Sequence, residues 1–325
     1  MVDEQVDYFS KIISYDRELY TKGNPGDGAT VIFIGGIHGN EPAGVIAMQD
    51  VFRVIEEQQI PIKGRIKAIN GNTKALKNKT RLIDVDLNRV WTRENIDKLH
   101  YNQLDLSVVE HAEMAEIYNL IQGEIKGTDQ SVYILDLHTT SAPSVSFCVT
   151  NIKSDCMTFV GDYPFPSISG LTGFLDGTLL SYINDIGHVG LAYEAGMNQT
   201  EASLEKHRSF IWFSLVKTGL IDLEDIPYNL DYHEHTLGRD WSSSLPQAFK
   251  IISRYRIKEG EHFKMQEGYD NFQRIKAGEL LAFNDKGPIV SPYDGHVFMP
   301  LYQEEGEDGF FIVRPMEESD YSELS

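Results

Sequence analysis

Val31-Ile-Phe-Ile-Gly-Gly-Ile-His38-Gly-Asn-Glu41-Pro-Ala-Gly44 decides how the rest of this chain is read. It opens with a short apolar run rich in β-branched residues, the signature of a buried strand. Two glycines end that strand, and Pro42 to Gln58 reads as a helix. His38 and Glu41 are therefore held where a central strand gives way to a helix. Ligands of open α/β sheets bind at the carboxyl ends of strands. Zn²⁺ accepts imidazole nitrogen and carboxylate oxygen, and a catalytic zinc site needs a third protein ligand and one open position.

Two more strands supply partners. Ser131-Val-Tyr-Ile-Leu-Asp136-Leu-His138 reads as a second buried strand with a His at its end. Val189-Gly-Leu-Ala-Tyr193-Glu194-Ala-Gly196 reads as a third, ending in a Glu before a glycine. Each of these polar residues alone fits a hydrogen-bonded strand end. As a set they predict a metal site of His38, Glu41 and His138, with Glu194 beside it.

The ordered motifs Gly36-x-His38-Gly-Asn-Glu41, Asp84-x-Asp86-Leu-Asn88-Arg89, Asp136-Leu-His138 and Tyr193-Glu194-x-Gly196 resemble the succinylglutamate desuccinylase/aspartoacylase family, a branch of the zinc carboxypeptidase-like hydrolases. The resemblance covers about the first two thirds of the chain. It implies an α/β fold with a zinc-carboxypeptidase-like mixed sheet flanked by helices, and a smaller C-terminal all-β, barrel-sandwich-like domain. It implies one Zn²⁺ per chain on His38, Glu41 and His138, with Glu194 as general base. Arg81 matches the carbonyl-polarising arginine, and Asn88 and Arg89 match the pair that grips a substrate carboxylate. Asp136 falls on the same face as His138 and is expected to orient an imidazole. The implied activity is hydrolysis of the amide of an N-acyl amino acid by metal-activated water.

One departure stands out. Aspartoacylases carry an arginine on the segment leading into the base-bearing strand, where it holds a second carboxylate. Residues 181–190 here contain neither Arg nor Lys, and His188 is the sole candidate cation. The expected substrate therefore has one obligatory carboxylate, and acetylaspartate fits poorly. A metallocarboxypeptidase acting on small peptides is the alternative enzyme, because it uses the same metal core and clamp. A non-catalytic metal- or ligand-binding protein is the reading outside enzymology, and retention of Glu194 and Arg81 argues against it.

Composition narrows the partners. The 325 residues carry a formal charge of −20 and are 41% hydrophobic, as in a soluble globular protein of one large or two smaller domains. Such an acidic surface repels nucleic acid. No long uninterrupted apolar stretch predicts a membrane span, and the acidic Met-Val-Asp-Glu-Gln start lacks a signal-peptide core. The expected compartment is the cytoplasm, and the expected partner a small carboxylate-bearing molecule; a homo-oligomer is compatible with this. Cys148 and Cys156 match no ligand spacing and read as reduced, buried thiols.

Along the chain, residues 1–30 read as a partly helical lead-in, a peripheral strand and the turn Gly23–Gly28. Residues 64–70 read as a strand. Residues 71–105 read as a long polar loop, whose Lys74, Lys77, Lys79, Arg81 and Arg89 form an anion-binding wall steadied by Asp84 and Asp86. Ser107-Val-Val-Glu110 predicts a capping box for a helix to about Glu124, with His111 and Glu113 on its surface. A strand is expected at 145–150, loops at 151–176, a short helix at 178–186, and a long helix capped by Asn198 or Thr200 and ending near Gly219. Residues 221–245 read as a linker, and its His233-Glu-His235 as surface residues lacking a third ligand. The catalytic domain is expected over 1–225 and the β domain over 245–325, with Tyr293 or Tyr302 reaching the cleft.

Overall fold

Six consecutive residues, Thr30–Gly35, are buried on both sides, as expected of a strand inside a parallel sheet covered by helices on each face. The computed structural model describes residues 13–151, 153–241, 246–302 and 306–322. The expected lead-in over residues 1–12 lies outside them. The strands in the first part of the chain are β1 (Glu18–Gly23), β2 (Thr30–Gly35), β3 (Arg65–Asn70), β4 (Val132–Thr140), β5 (Phe147–Thr150), β6 (Ser167–Ser169) and β7 (Val189–Met197). The helices around them are α1 (Ala43–Glu57), α2 (Thr73–Asn78), α3 (Arg93–His100), α4 (Val109–Lys126), α5 (Ser154–Val160), α6 (Leu179–Asp185), α7 (Glu201–Lys217) and α8 (Leu230–Gly238).

Alternation along β2 sorts its side chains between two cores. Val31 and Phe33 pack with Val45, Met48 and Phe52 of α1 and with Phe210 and Ile211 of α7. Ile32 and Ile34 pack with Met114, Ile117 and Ile121 of α4 and with Leu179 and Ile183 of α6. Each such side chain contributes about 1.5–3 kcal/mol on burial, so this strand is among the most strongly fixed parts of the molecule. The parallel ladder then sets the active end. Gly35 pairs with Leu137, and His138 pairs with Glu194. The chain leaves β2 three residues before His38, so three strand ends converge on one spot.

The sheet does not stop there. Its order is β1-β3-β2-β4-β7-β5-β6, continuing through β8 (Ala248–Arg256) into the C-terminal region. That region adds β9 (Lys264–Met265), β10 (Arg274–Ile275), β11 (Leu280–Asn284), β12 (Gly287–Val290), β13 (Gly295–Phe298), β14 (Asp308–Pro315) and the short helix α9 (Glu318–Ser322). β8, β14, β13 and β10 pair antiparallel in turn, and β9, β11 and β12 form a second antiparallel sheet. Met265, Leu281, Val297, Phe310 and Ile312 are buried between them. The mixed α/β fold with a C-terminal β region is thus the one expected. Among the described residues, no helix is long and apolar enough to cross a membrane.

Several local expectations are corrected. Residues 71–105 are not one loop; they form α2, a 3₁₀ turn at Leu87–Arg89, and α3. α2 is capped by the Asn72 side chain and closed by Lys79 in the left-handed region, at φ 56°. Residues 151–176 contain α5 and β6 as well as loops. The acidic linker contains α8, where His233 is buried and bridges Ser209 Oγ and the Pro227 carbonyl oxygen, so it is not a surface residue. The 242–245 part of that linker is outside the described residues.

The capping box at Ser107 is not formed either. Ser107 turns back to Asp105, while the carboxylate of Asp84 accepts from Val109 N at 2.8 Å and caps α4 from a distance. Glu110 and Glu113, in the first turns of α4, are both buried. Glu113 accepts from Thr73 and pairs with Arg17, which is why it is not on the surface. Glu110 accepts from Asn72 Nδ2 at 2.8 Å and from the backbone N–H groups of Ile83, Asp84 and Val85 at 2.7, 3.0 and 3.1 Å. A carboxylate at a helix N-terminus, favoured there by the helix dipole, thereby ties down the loop that carries Arg81. Glu110→Ala is expected to cost about 3 kcal/mol or more in urea unfolding, because several buried donors lose their acceptor. A loss below about 1 kcal/mol would show that the loop is held otherwise.

Candidate metal centre and active site

The three strand-end residues come together as the register requires. His38 Nδ1 lies 2.9 Å from Glu41 Oε1, and His138 Nδ1 lies 3.3 Å from Glu41 Oε2. One ligand atom from each of the three residues falls within 4.8 Å of the others, and all three residues are buried. The far edge of each ring is held by another carboxylate: His38 Nε2 is 3.1 Å from Asp86 Oδ1, and His138 Nε2 is 2.7 Å from Asp136 Oδ2. Asp136 thus holds an imidazole, as expected from its position. Asp86 holds His38 as well as Arg81.

This donor set fits a divalent cation. With Nε2–H donated outward to Asp86 and Asp136, both Nδ1 lone pairs point at the Glu41 carboxylate, an arrangement that needs positive charge between them. Without metal, protons supply it. Burial opposes charge on His138, but Asp136 and Glu41 outweigh burial and raise its pKa well above the usual imidazole range. Burial and Arg81 also oppose charge on His38, yet Glu41 and Asp86 raise it. Burial would raise Glu41, but the two histidines hold it well below the usual carboxylate range. A dication would take the place of those protons, as metal binding to imidazole does generally.

Around the cluster lies a cavity of about 540 Å³ whose lining includes His38, Glu41, Arg81, Asn88, Arg89, His138 and Glu194. The expected metal ligands, general base, carbonyl-polarising arginine and carboxylate clamp therefore face one space. Glu194 is buried and its Oε2 has no hydrogen-bond partner among the described residues. Burial pushes its carboxyl up to about 7; the charge of His138 pulls against this, and that of Glu41 adds to it. Unpartnered buried atoms are concentrated in the residues of this lining: Asn40 Oδ1, Asp136 Oδ1, Thr139 Oγ1 and Asn198 Oδ1 as well as Glu194 Oε2. Buried polar groups are normally satisfied, so such a cluster marks a site built for a ligand.

The cationic wall is more selective than its sequence suggests. Arg81 Nη2 lies 3.2 Å from Asp86 and its Nη1 3.6 Å from Glu41. Its carbonyl oxygen accepts from Gly39 N at 3.1 Å, where a Cβ on Gly39 would come within 2.1 Å of the α2 backbone. Asn88 Oδ1 accepts from Leu179 N at 2.9 Å, fastening the start of α6. Arg89 donates to the Asn88 carbonyl oxygen at 2.9 Å and meets Asp308 of β14 at 3.4 Å. Lys74, Lys77 and Lys79 do not line the cavity, and Asp84 steadies α4 rather than an arginine.

The C-terminal region walls the cleft with Asn271, Met299, Leu301, Asp308 and Phe311. Neither Tyr293 nor Tyr302 is among the lining residues. The Tyr302 hydroxyl instead donates within its own region, toward the carbonyl oxygens of Gln266 and Tyr269. Nothing local in the sequence signals Asp308 or Phe311, because they reach the cavity through pairing with β8, far along the chain. Cys148 sits in the core on the opposite face of the sheet, and burial raises its thiol far above the ordinary range. It takes no part in the site.

The fold and site define an α/β protein with a candidate metal centre at the carboxyl edge of its parallel strands. The sequence model of the succinylglutamate desuccinylase/aspartoacylase catalytic domain matches residues 27–205, a span containing the whole cluster. The aspartoacylase of Xenopus tropicalis is 32% identical over 282 residues, covering 82% of this chain and 83% of that protein. The aspartoacylase of Danio rerio is 30% identical over 38% of each chain. The succinylglutamate desuccinylase of Pseudoalteromonas atlantica is 33% identical over 35% of this chain and 32% of its own. These last two alignments span only about a third of the relatives' lengths. Among solved structures, succinylglutamate desuccinylase from Vibrio cholerae superposes with a TM-score of 0.65 at 17% identity, covering 91% of this chain and 84% of that one. The succinylglutamate desuccinylase/aspartoacylase from Rhodobacter sphaeroides gives 0.64 at 17% identity, covering 92% and 88%. At that identity the likeness speaks for the fold alone. The chain belongs to the succinylglutamate desuccinylase/aspartoacylase family.

The outer carboxylates should matter to metal retention. Asp136→Asn is expected to weaken zinc binding about 10–100-fold in competition with a chelating dye, since it removes the charge that orients His138. Unchanged affinity would mean that the ring is held by packing alone.

Proposed function

We propose that this protein is a zinc-dependent hydrolase that cleaves the amide bond of an N-acyl amino acid, with Glu194 as general base. The observation that carries the reading is the register of His138 beside Glu194, which puts an unpartnered buried carboxylate next to the His–Glu–His cluster. His38, Glu41 and His138 would hold one Zn²⁺ per chain. Bound there, zinc supplies a Lewis acid that polarises a carbonyl and lowers the pKa of water from about 15.7 towards about 7. Glu194 takes the proton of the attacking water and passes it to the leaving nitrogen, so it must start ionised and cycle through its acid form.

Arg81 lines the same cavity with its Nη1 3.6 Å from Glu41 Oε1, so its guanidinium can donate to the oxygen that gains negative charge. Asn88 and Arg89 form the clamp for the substrate carboxylate. The Arg89–Asp308 contact is long at 3.4 Å, so a carboxylate with better geometry can compete for the guanidinium. The relatives named as aspartoacylase and succinylglutamate desuccinylase support the amide chemistry.

The first test pairs elemental analysis with turnover of N-acyl amino acids and small peptides. Glu194→Gln should keep about one zinc per chain and lose roughly 10²–10⁴ of the rate. His138→Ala should lose both metal and rate. Near-full activity in Glu194→Gln would remove it as the base, and turnover confined to peptides would assign a carboxypeptidase instead. Separately, Arg89→Ala should raise KM about tenfold or more for carboxylate substrates while changing kcat less. An unchanged KM removes Arg89 from the clamp.

A further inference from the structure

The cavity has two chemically different ends. One is the polar cluster. The other is a pouch formed by Val149, Leu171, Leu175, Leu180, Ala192 and Phe311. These residues belong to one continuous apolar cluster, with Leu171 and Ala192 packed against its buried members. Its floor follows from strand register. Ala192 lies two residues before Glu194 on β7, so both side chains are on the same side of the strand. Ala192 pairs with Val149 on β5 and with Asp136 on β4. The surface beside the Glu194 carboxylate is therefore apolar toward β5, through Ala192 and Val149, and acidic toward β4, where Asp136 holds His138.

From this we infer that the substrate's amine half is an apolar α-amino acid whose side chain fills the pouch. The inference rests on the deacylase reading and names its substrate class. Position is the first argument. Leu175 and Leu180 flank Gly177–Leu179, the segment fastened to the carboxylate clamp: Trp91 N donates to the Gly177 carbonyl oxygen at 3.0 Å, and Leu179 N to Asn88 Oδ1 at 2.9 Å. The carboxylate and side chain of an amino acid share one α-carbon. With the carboxylate on Asn88 and Arg89, the group beside the clamp is that side chain, and the acyl group extends away across Glu194.

Charge is the second argument. Arg81 and Arg89 are the arginines that line the cavity, and both already face carboxylates, on Asp86 and Asp308. No lysine lines it among the described residues. His188, the cation candidate in the sequence, sits at the entry of β7, the opposite end from Glu194, and is absent from the lining. An acidic side chain in the pouch would be a buried carboxylate without a partner, which is strongly unfavourable. A Leu-, Met- or Phe-sized group gains by leaving water. The volume of about 540 Å³ suits a small acyl amino acid.

The test compares N-acetyl-L-leucine with N-acetyl-L-aspartate in two measurements. By calorimetry on zinc-loaded Glu194→Gln, the leucine compound should bind at least about tenfold tighter. In wild-type turnover its kcat/KM should exceed that of the aspartate compound by about a hundredfold or more. Leu175→Ala, which enlarges the pouch, should weaken binding of the leucine compound several-fold and leave the aspartate compound unaffected. Equal or tighter binding of the aspartate compound, or no binding of the leucine compound, overturns the inference. Preferential binding of the leucine compound with no hydrolysis by the wild type removes the deacylase reading while the pouch assignment stands.

Discussion

The structure depends on one electrostatic constraint: two imidazole nitrogens converge on the two oxygens of Glu41 where water scarcely reaches. Such a cluster needs positive charge at its centre and fixed geometry around it. Asp86 and Asp136 provide the fixing, each gripping the outward nitrogen of one ring. Thr139 N adds a donor to Glu41 at 3.0 Å. The ring orientations are thus set by groups on three different segments, and none is free to relax alone. The central strands, buried on both faces, are the rigid support that such a cluster requires.

A second tier holds the first. Arg81 and Asp86 lie on a loop with little regular structure, and their accuracy depends on Glu110 gathering three consecutive backbone N–H groups from the start of α4. Asp84 returns the favour by capping that helix. Loop and helix end therefore stabilise one another: each supplies the hydrogen-bond partner that the other lacks. Gly39 lets the turn between His38 and Glu41 press against α2 where no side chain fits. The anionic residues that look wasteful in so acidic a chain include those that organise its few useful cations.

How much of this was legible in the sequence follows from how local each signal is. His38, Glu41, His138 and Glu194 stand at the ends of strongly apolar strands, and strand patterning plus parallel register is enough to gather them. α2, α3 and α8 were hidden because their segments are polar and their turns short, so charge masked periodicity. The buried state of Glu113 depends on Arg17, nearly a hundred residues away, and that of His233 on Ser209 of α7. Ser107 resembles a cap by spacing, yet a distant aspartate does its work. Asp308 and Phe311 enter the cleft through a strand pairing that no motif announces, and the two tyrosines favoured for that role are turned elsewhere.

The continuity of the sheet has a mechanical meaning. β6 hydrogen-bonds to β8, with Ser167 opposite Ala248 and Ser169 opposite Lys250, so the backbone ladder runs unbroken from the strands that end in the His–Glu–His cluster to the strand that carries Phe311. Prising the two walls of the cleft apart as rigid jaws would mean tearing that ladder and leaving its donors and acceptors unmatched. The width of the cleft is a property of one elastic body, and its breathing is confined to side chains and connecting loops. A change in the remote β region is then felt at the chemical centre as a change of fit rather than a change of hinge angle. In such a molecule, selectivity can drift through the far wall while the reactive end stays fixed.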